Sequence, residues 1–212
     1  MVDLRFYMNR LVLVLVLFLL PGCVKKKPDY FPLTNGARRS MRIYSRRIVG
    51  SDTSETTRVR LVSVVQGKKQ LPGIGLVWVI EVPRDSGRPS HVYFRKKKDE
   101  IVQIVFSKGR KPVKLHYLSL PLSQGDHWYD TESERELFEV VAKETVKLRA
   151  GTFPDCYKIS VVSTTSNQAT LEWFAPDVGP VKWKSRAVWF KDGVRHELVR
   201  SAVLVRYQVP AE

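Results

Sequence analysis

The reactive side chains of this 212-residue chain are few: two cysteines, four histidines and the carboxylates around one turn. His91, His116, His127 and His196 are scattered, with no HxH or HExxH spacing, and the cysteines form no CxxC, so no metal site is expected. Asp126-His127, with Asp130 close by, is a grouping that suits general acid–base work. The same residues equally suit a turn whose carboxylates satisfy backbone N–H groups. No GxSxG elbow, P-loop or GxGxxG run is present, so no catalytic residue, no enzymatic activity and no cofactor are expected. What stands out is Cys23, which follows an uninterrupted apolar run, Leu11–Leu20, and a Pro21-Gly22 pair.

As a helix, Leu11–Leu20 spans about 15 Å at ~1.5 Å per residue, roughly half of a ~30 Å hydrocarbon core. Extending it back to Leu4 brings Arg5, Asn9 and Arg10 into the apolar window, which disfavours the alternative of an uncleaved membrane helix. A basic n-region, a short apolar h-region and small residues before a cut are instead the parts of a secretory signal. Leu20-Pro21-Gly22-Cys23 resembles the lipobox of bacterial lipoproteins, with Pro21 where that pattern carries Ala or Ser. The resemblance implies that residues 1–22 are a signal peptide preceding Cys23, the new N-terminus. The Cys23 sulfur would carry diacylglycerol and its amine an acyl chain such as palmitate. Two or more chains anchor stably where one is marginal. Residues 23–29 then form a lipidated tether, in which Lys25, Lys26 and Lys27 either lie among anionic headgroups, at ~1 kcal/mol each, or stay solvated. Position 24 is Val, not Asp; by resemblance to lipoprotein sorting patterns this favours the periplasmic face of the outer membrane in a cell with two membranes.

Charge is read against that address. Loss of residues 1–22 removes Arg5, Arg10 and Asp3, so a net charge of +15 becomes +14. In the cytoplasm such a balance would suggest nucleic acid, and Val181-Lys182-Trp183-Lys184 and Tyr93-Phe94-Arg95 interleave aromatic and basic residues as single-strand binders do. Export removes nucleic acid as a partner and leaves anionic lipid headgroups or envelope polymers. With Cys23 acylated, Cys156 has no partner for a disulfide within the mature chain and reads as a small buried hydrophobe.

Residues 30–212 read as an all-β domain. Alternation argues for strands at Thr57–Gln66, Gly75–Val82, Ser90–Arg95, Ile101–Ser107 and Val113–Leu118. A second series covers Thr152–Val162, Ala169–Phe174, Val181–Lys191 and Arg195–Val209. Leu137–Leu148 fits a helix or a strand by periodicity, and its β-branched content favours strand. Thr131–Arg135 suits a single helical turn, Arg95–Glu100 a charged hairpin tip, and Asp192-Gly193 a type I′ hairpin turn. About ten closely spaced strands imply an antiparallel meander that curls into a half-barrel or barrel, preceded by the signal helix. The pattern P-L-[ST]-x-G occurs at Pro32–Gly36 and again at Pro121–Gly125, each before a run of strands, and suggests two similar halves starting near residues 30 and 118.

Three further segments carry a resemblance: the F-P-L-x-x-G opening at Phe31-Pro32-Leu33-Thr34-Asn35-Gly36, the segment from Val146 through Ala150-Gly151-Thr152-Phe153-Pro154-Asp155-Cys156 to Lys158, and Trp173–Lys182, which contains Ala175-Pro176-Asp177-Val178-Gly179-Pro180. Together they resemble a family of uncharacterised bacterial lipoproteins and secreted β-proteins. The resemblance implies an antiparallel sheet and no assigned activity. The function expected is therefore that of a lipid-anchored cell-envelope protein that binds an apolar or amphiphilic ligand, a lipid included. The alternative is an envelope assembly subunit whose basic face holds an anionic polymer or a protein partner.

Overall fold

The computed structural model describes residues 27–83, 87–130 and 134–210. The expected signal peptide 1–22, Cys23 and the part of the expected tether before Lys27 lie outside the described residues. Period-two alternation yields twelve strands and no helix among those described. The first six are β1 (Arg38–Val49), β2 (Asp52–Leu71), β3 (Gly75–Val82), β4 (Ser90–Lys96), β5 (Glu100–Val105) and β6 (Val113–Ser119). The second six are β7 (His127–Tyr129), β8 (Glu136–Leu148), β9 (Gly151–Ser163), β10 (Gln168–Ala175), β11 (Gly179–Lys191) and β12 (Val194–Gln208). Leu137–Leu148 is thus strand. Of Thr131–Arg135, residues 131–133 lie outside those described, and Glu134 has a left-handed φ of 50°. β1 and β7 are additional to the ten strands expected.

All twelve form one antiparallel sheet in the order β6-β5-β4-β3-β2-β1-β12-β11-β10-β9-β8-β7. Two six-stranded meanders are joined where β1 pairs with β12 along its whole length, from Arg38 opposite Gln208 to Val49 opposite His196. At the other margin β6 and β7 approach across a seam, where the His116 N–H donates to the Asp130 carbonyl at 2.6 Å. The sheet is therefore a nearly closed barrel, all-β and antiparallel as the alternation requires.

Directly opposed residues share a face, so the register identifies the barrel interior. One row runs Val140, Ile159, Glu172, Trp183, Ala202, Ile43, Val59 across seven strands. Glu172 is the one charged member of that row. The N-terminal segment closes one end: Tyr30, Phe31 and Leu33 are buried, joining Phe94, Trp128, Phe138 and Phe174 in the main core. A smaller core packs Cys156, Trp173, Val181 and Leu204.

The two P-L-[ST]-x-G turns make matching backbone bonds. Gly36 N–H donates to Val65 O and Gly125 N–H to Val140 O, both at 2.8 Å. The next residue of each, Ala37 or Asp126, donates back to Thr34 O or Ser123 O, and its own carbonyl accepts from the same valine's N–H. Left-handed φ values of 76° and 91° explain glycine at both. Each turn thus delivers the chain into the first strand of one meander. The meanders differ in length: β2 has 20 residues and β1 has 12, whereas β7 has 3. The β1–β2 and β11–β12 hairpins consequently project from the barrel as a four-stranded ribbon.

Candidate ligand cleft

The acid–base grouping is not assembled. The Asp126 carboxylate accepts from the Ser123 N–H at 2.9 Å and so closes its own turn. His127 points outward from β7, while Asp130 is buried and accepts the N–H groups of Arg135 and Glu136 at 3.1 Å. The histidines stay apart: His91 faces Glu81, His116 Nε2 meets Ser119 Oγ at 3.0 Å, and His196 stacks on Trp189. Among the described residues no three His, Cys, Asp or Glu side chains are grouped to hold a metal ion. Cys156 is fully buried, and burial pushes its thiol up to about 11.

The segments singled out in the sequence meet at the closed end of the barrel. Asp29 and Asp177 exchange bonds, the Asp177 N–H donating to Asp29 O at 2.8 Å and the Asp29 N–H to Asp177 Oδ1 at 3.0 Å. Tyr30 O–H donates to the Asp155 carbonyl at 3.2 Å, and its ring stands edge-on to Tyr157. Lys96, expected at a solvated hairpin tip, turns back instead to bond the Asp29 carboxylate and the Phe31 carbonyl. The Ala175–Pro180 turn needs left-handed φ at Asp177 (59°) and Gly179 (86°). A Cβ on Gly179 would stand 3.2 Å from Arg39 Nη2 and 3.3 Å from Pro32 Cδ. Sequence motifs far apart in the chain are thus parts of one clasp on the N-terminal segment.

Beside this clasp, on the inner face, lies a cleft of about 340 Å³. Its wall is mainly apolar, with Met41, Leu61, Ile80, Val92, Phe94 and Trp183 facing it, a lining and size typical of small-ligand sites. Five polar side chains interrupt the wall: Arg39, Ser63, Tyr117, Glu172 and Lys182. Tyr117 and Glu172 also line a second cavity of about 150 Å³, toward the seam, with Gln103, Asp130, Glu136 and Phe138.

Arg39 is only 5 % exposed. Its Nη2 donates to the Pro32 carbonyl at 2.8 Å, and Nε and Nη2 donate to the Val178 carbonyl at 3.2 and 3.1 Å. The guanidinium also lies 5.3 Å from the centre of the Tyr207 ring. Among the described residues no carboxylate lies within ion-pairing distance of it or of Lys182. Lys182 Nζ sits 4.3 Å above the Trp173 ring, and burial, then Lys184, lowers its pKa. Burial likewise lowers that of Arg39, which nevertheless stays a cation.

Tyr117 O–H donates to Glu172 Oε2 at 3.0 Å, placing the pair between the two cavities. Burial pushes the Glu172 carboxyl up to about 7, against the opposing effect of the Tyr117 hydrogen bond. Burial followed by the Glu172 charge raises Tyr117 well above the ordinary tyrosine value. The cleft is therefore lined by two cations with no carboxylate in ion-pair contact, Asp29 and Glu144 acting on them only at longer range, and by one carboxyl held largely neutral in mildly acidic solution.

Arg39, Tyr117 and Glu172 were not expected from the sequence as functional residues. The signal for Glu172 is its register, since it opposes Ile159 and Trp183 on apolar inner positions.

No protein-family model and no curated protein sequence matches the chain. In fold it is similar to a protein from Bacteroides fragilis described as exported and YmcC-like, at 17 % identity and a TM-score of 0.46 over 85 % of this chain and 99 % of that one. It is also similar to one from Parabacteroides distasonis described as a lipoprotein, at 17 % identity and a TM-score of 0.48 over 87 % and 100 % of the two chains. At scores below 0.5 neither likeness carries a functional argument.

Proposed function

We propose that this chain is a cell-envelope protein, held to a membrane by lipid on Cys23, whose barrel cleft takes up an amphiphile with an anionic head. The observation that carries this reading is the Arg39 guanidinium, buried beside an apolar cleft with no carboxylate in ion-pair contact, since Asp29, whose charge reaches it from farther off, is bonded to Lys96. A buried charge is costly unless paired, and carbonyl oxygens alone supply no counter-charge. A carboxylate or phosphate at Arg39 and Lys182 completes the site, and an alkyl chain fills the space between Leu61, Ile80 and Phe94. Glu172, protonated at mildly acidic pH, does not repel such a head.

The tether geometry supports membrane-derived ligands. Six peptide steps from Cys23 to Asp29 reach at most about 20 Å at ~3.5 Å per residue, so the clasped end of the barrel stays near the bilayer. Lipidation is read from the mass of membrane-extracted protein; a C23A variant that is still cut and still membrane-bound rules it out.

The cleft is tested by competition between a fatty acid and the fatty alcohol of equal chain length for a fluorescent reporter. The acid is expected to bind about tenfold more tightly, equivalent to ~1.4 kcal/mol, and K182M is expected to reduce that preference. Equal affinities for acid and alcohol in the wild-type chain would remove the cation's role, and failure of both to displace the reporter would remove the cleft as a lipid site.

A further inference from the structure

The β11–β12 hairpin ends in Trp189-Phe190-Lys191-Asp192-Gly193-Val194-Arg195, with left-handed φ at Asp192 (52°) and Gly193 (74°) as a type I′ turn requires. This tip is at the opposite end of β11 from the clasp. The 13 residues of β11 separate the two by about 40 Å at ~3.3 Å per step. At the tip Phe190 is 68 % exposed, Val194 41 % and Trp189 36 %. Packing does not account for Phe190 or Val194, which lie opposite Arg195 and Lys191. Trp189 is braced by stacking on the buried His196 ring at 5.4 Å, which fixes its orientation.

Cations flank this apolar tip. Lys191 and Arg195 belong to the same hairpin, and Arg46 and Arg47 stand on β1, paired alongside β12. Of the nearby carboxylates, Glu197 is already taken by Arg186 and Arg195, Glu55 lies opposite Arg47 in the β1–β2 register, and Asp192 stands in the turn itself, which leaves Lys191 and Arg46 as the cations with no carboxylate opposite them. Aromatic and aliphatic side chains ringed by cations are the composition that seats in the headgroup and upper acyl region of a membrane. An anionic polymer would engage the cations and leave Phe190 and Val194 in water; a bilayer uses both.

We infer that the β11–β12 tip docks into the interface of an anionic phospholipid bilayer, and that this bilayer is the one holding the N-terminal segment. The inference rests on the membrane-tethered part of the reading above and not on cleft binding. Tethering raises the effective concentration of the tip at that surface, so even a weak interfacial contact is populated. The β11 axis then lies along the membrane, with clasp and tip as two points of contact.

The test uses the full-length chain assembled into lipid nanodiscs, which take up its apolar Leu11–Leu20 segment whether or not Cys23 is acylated. Tryptophan emission is recorded in discs of brominated phosphatidylglycerol and of brominated phosphatidylcholine, for the wild-type chain, W189F, W183F and F190S. The difference between wild type and W189F reports Trp189 at the tip; the difference between wild type and W183F reports Trp183 in the cleft. Trp189 is expected to be quenched in the anionic discs, less in the neutral ones, and by about half or less of the wild-type extent in F190S. Trp189 emission untouched by brominated phosphatidylglycerol overturns the inference, as does quenching that is equal in neutral discs and in F190S. Quenching kept at Trp183 and missing at Trp189 sinks the tip while sparing the cleft.

Discussion

Replacing Glu172 by glutamine should change how stability depends on pH in a way that no surface substitution reproduces. The carboxyl titrates near its ordinary 4.5 in the unfolded chain and near 7 inside the barrel, where burial disfavours the charge. Between those values the folded state keeps a proton that the unfolded state releases, so the fold weakens as pH rises. Below about 4.5 both states are protonated and Glu172 costs nothing; above about 7 both are ionised and the loss is complete. At ~1.4 kcal/mol per pH unit, the full loss is on the order of 3 kcal/mol, an upper figure because water in the two cavities eases the burden. The amide of the E172Q variant can still accept the Tyr117 hydroxyl proton at the same place but never ionises. Urea unfolding from pH 4.5 to 8 should therefore show wild type and E172Q diverging, with the variant more stable by up to ~3 kcal/mol at pH 8 and nearly matched at pH 4.5. Curves that run parallel over that range would refute the assignment of Glu172 as a buried carboxyl facing the cleft.

Other consequences of the fold can be checked as directly. G179A should lose about 1–3 kcal/mol in urea titration, because alanine would be strained at φ 86° and its Cβ would press on Arg39 and Pro32; an unchanged midpoint would mean the clasp is looser than its contacts imply. Cys156, buried and with its thiol at about 11, should resist iodoacetamide at pH 8 in the folded chain and react on unfolding. Amide hydrogen exchange should be slowest along the fully paired β1–β12 join and fast at Val113–Leu115 of β6, next to a seam held by the His116–Asp130 bond; the reverse order would contradict the sheet order.

Local alternation made most of this fold legible. Strands such as Gly75–Val82 and Val181–Lys191 combine β-branched residues, aromatics and clear turn signals, and the Asp192-Gly193 turn announces its own geometry. β1 was hidden because five arginines occupy its twelve positions, which blurs the apolar face carrying Met41 and Ile43. β7 was hidden because three residues are too few to show a period. The site was less legible than the fold, for a physical reason: its polar members are assembled by long-range register. Arg39 meets Val178 across 139 residues, and Tyr117 meets Glu172 across 55. Composition can show that the chain is basic, but only the closed sheet shows which cation is removed from water without an ion pair. The unusual turn Ala175–Pro180 was visible as a motif, and its purpose became clear only beside Asp29 and Pro32.

The most direct test of an anionic amphiphile in the cleft is native mass spectrometry of the mature chain released gently from its membrane. The account predicts a one-to-one adduct whose mass is that of a lipid with a carboxylate or phosphate head, reduced in occupancy by K182M. A chain that flies only as the unliganded mass, and that gains no adduct when fatty acid or anionic phospholipid is added in excess, would contradict it.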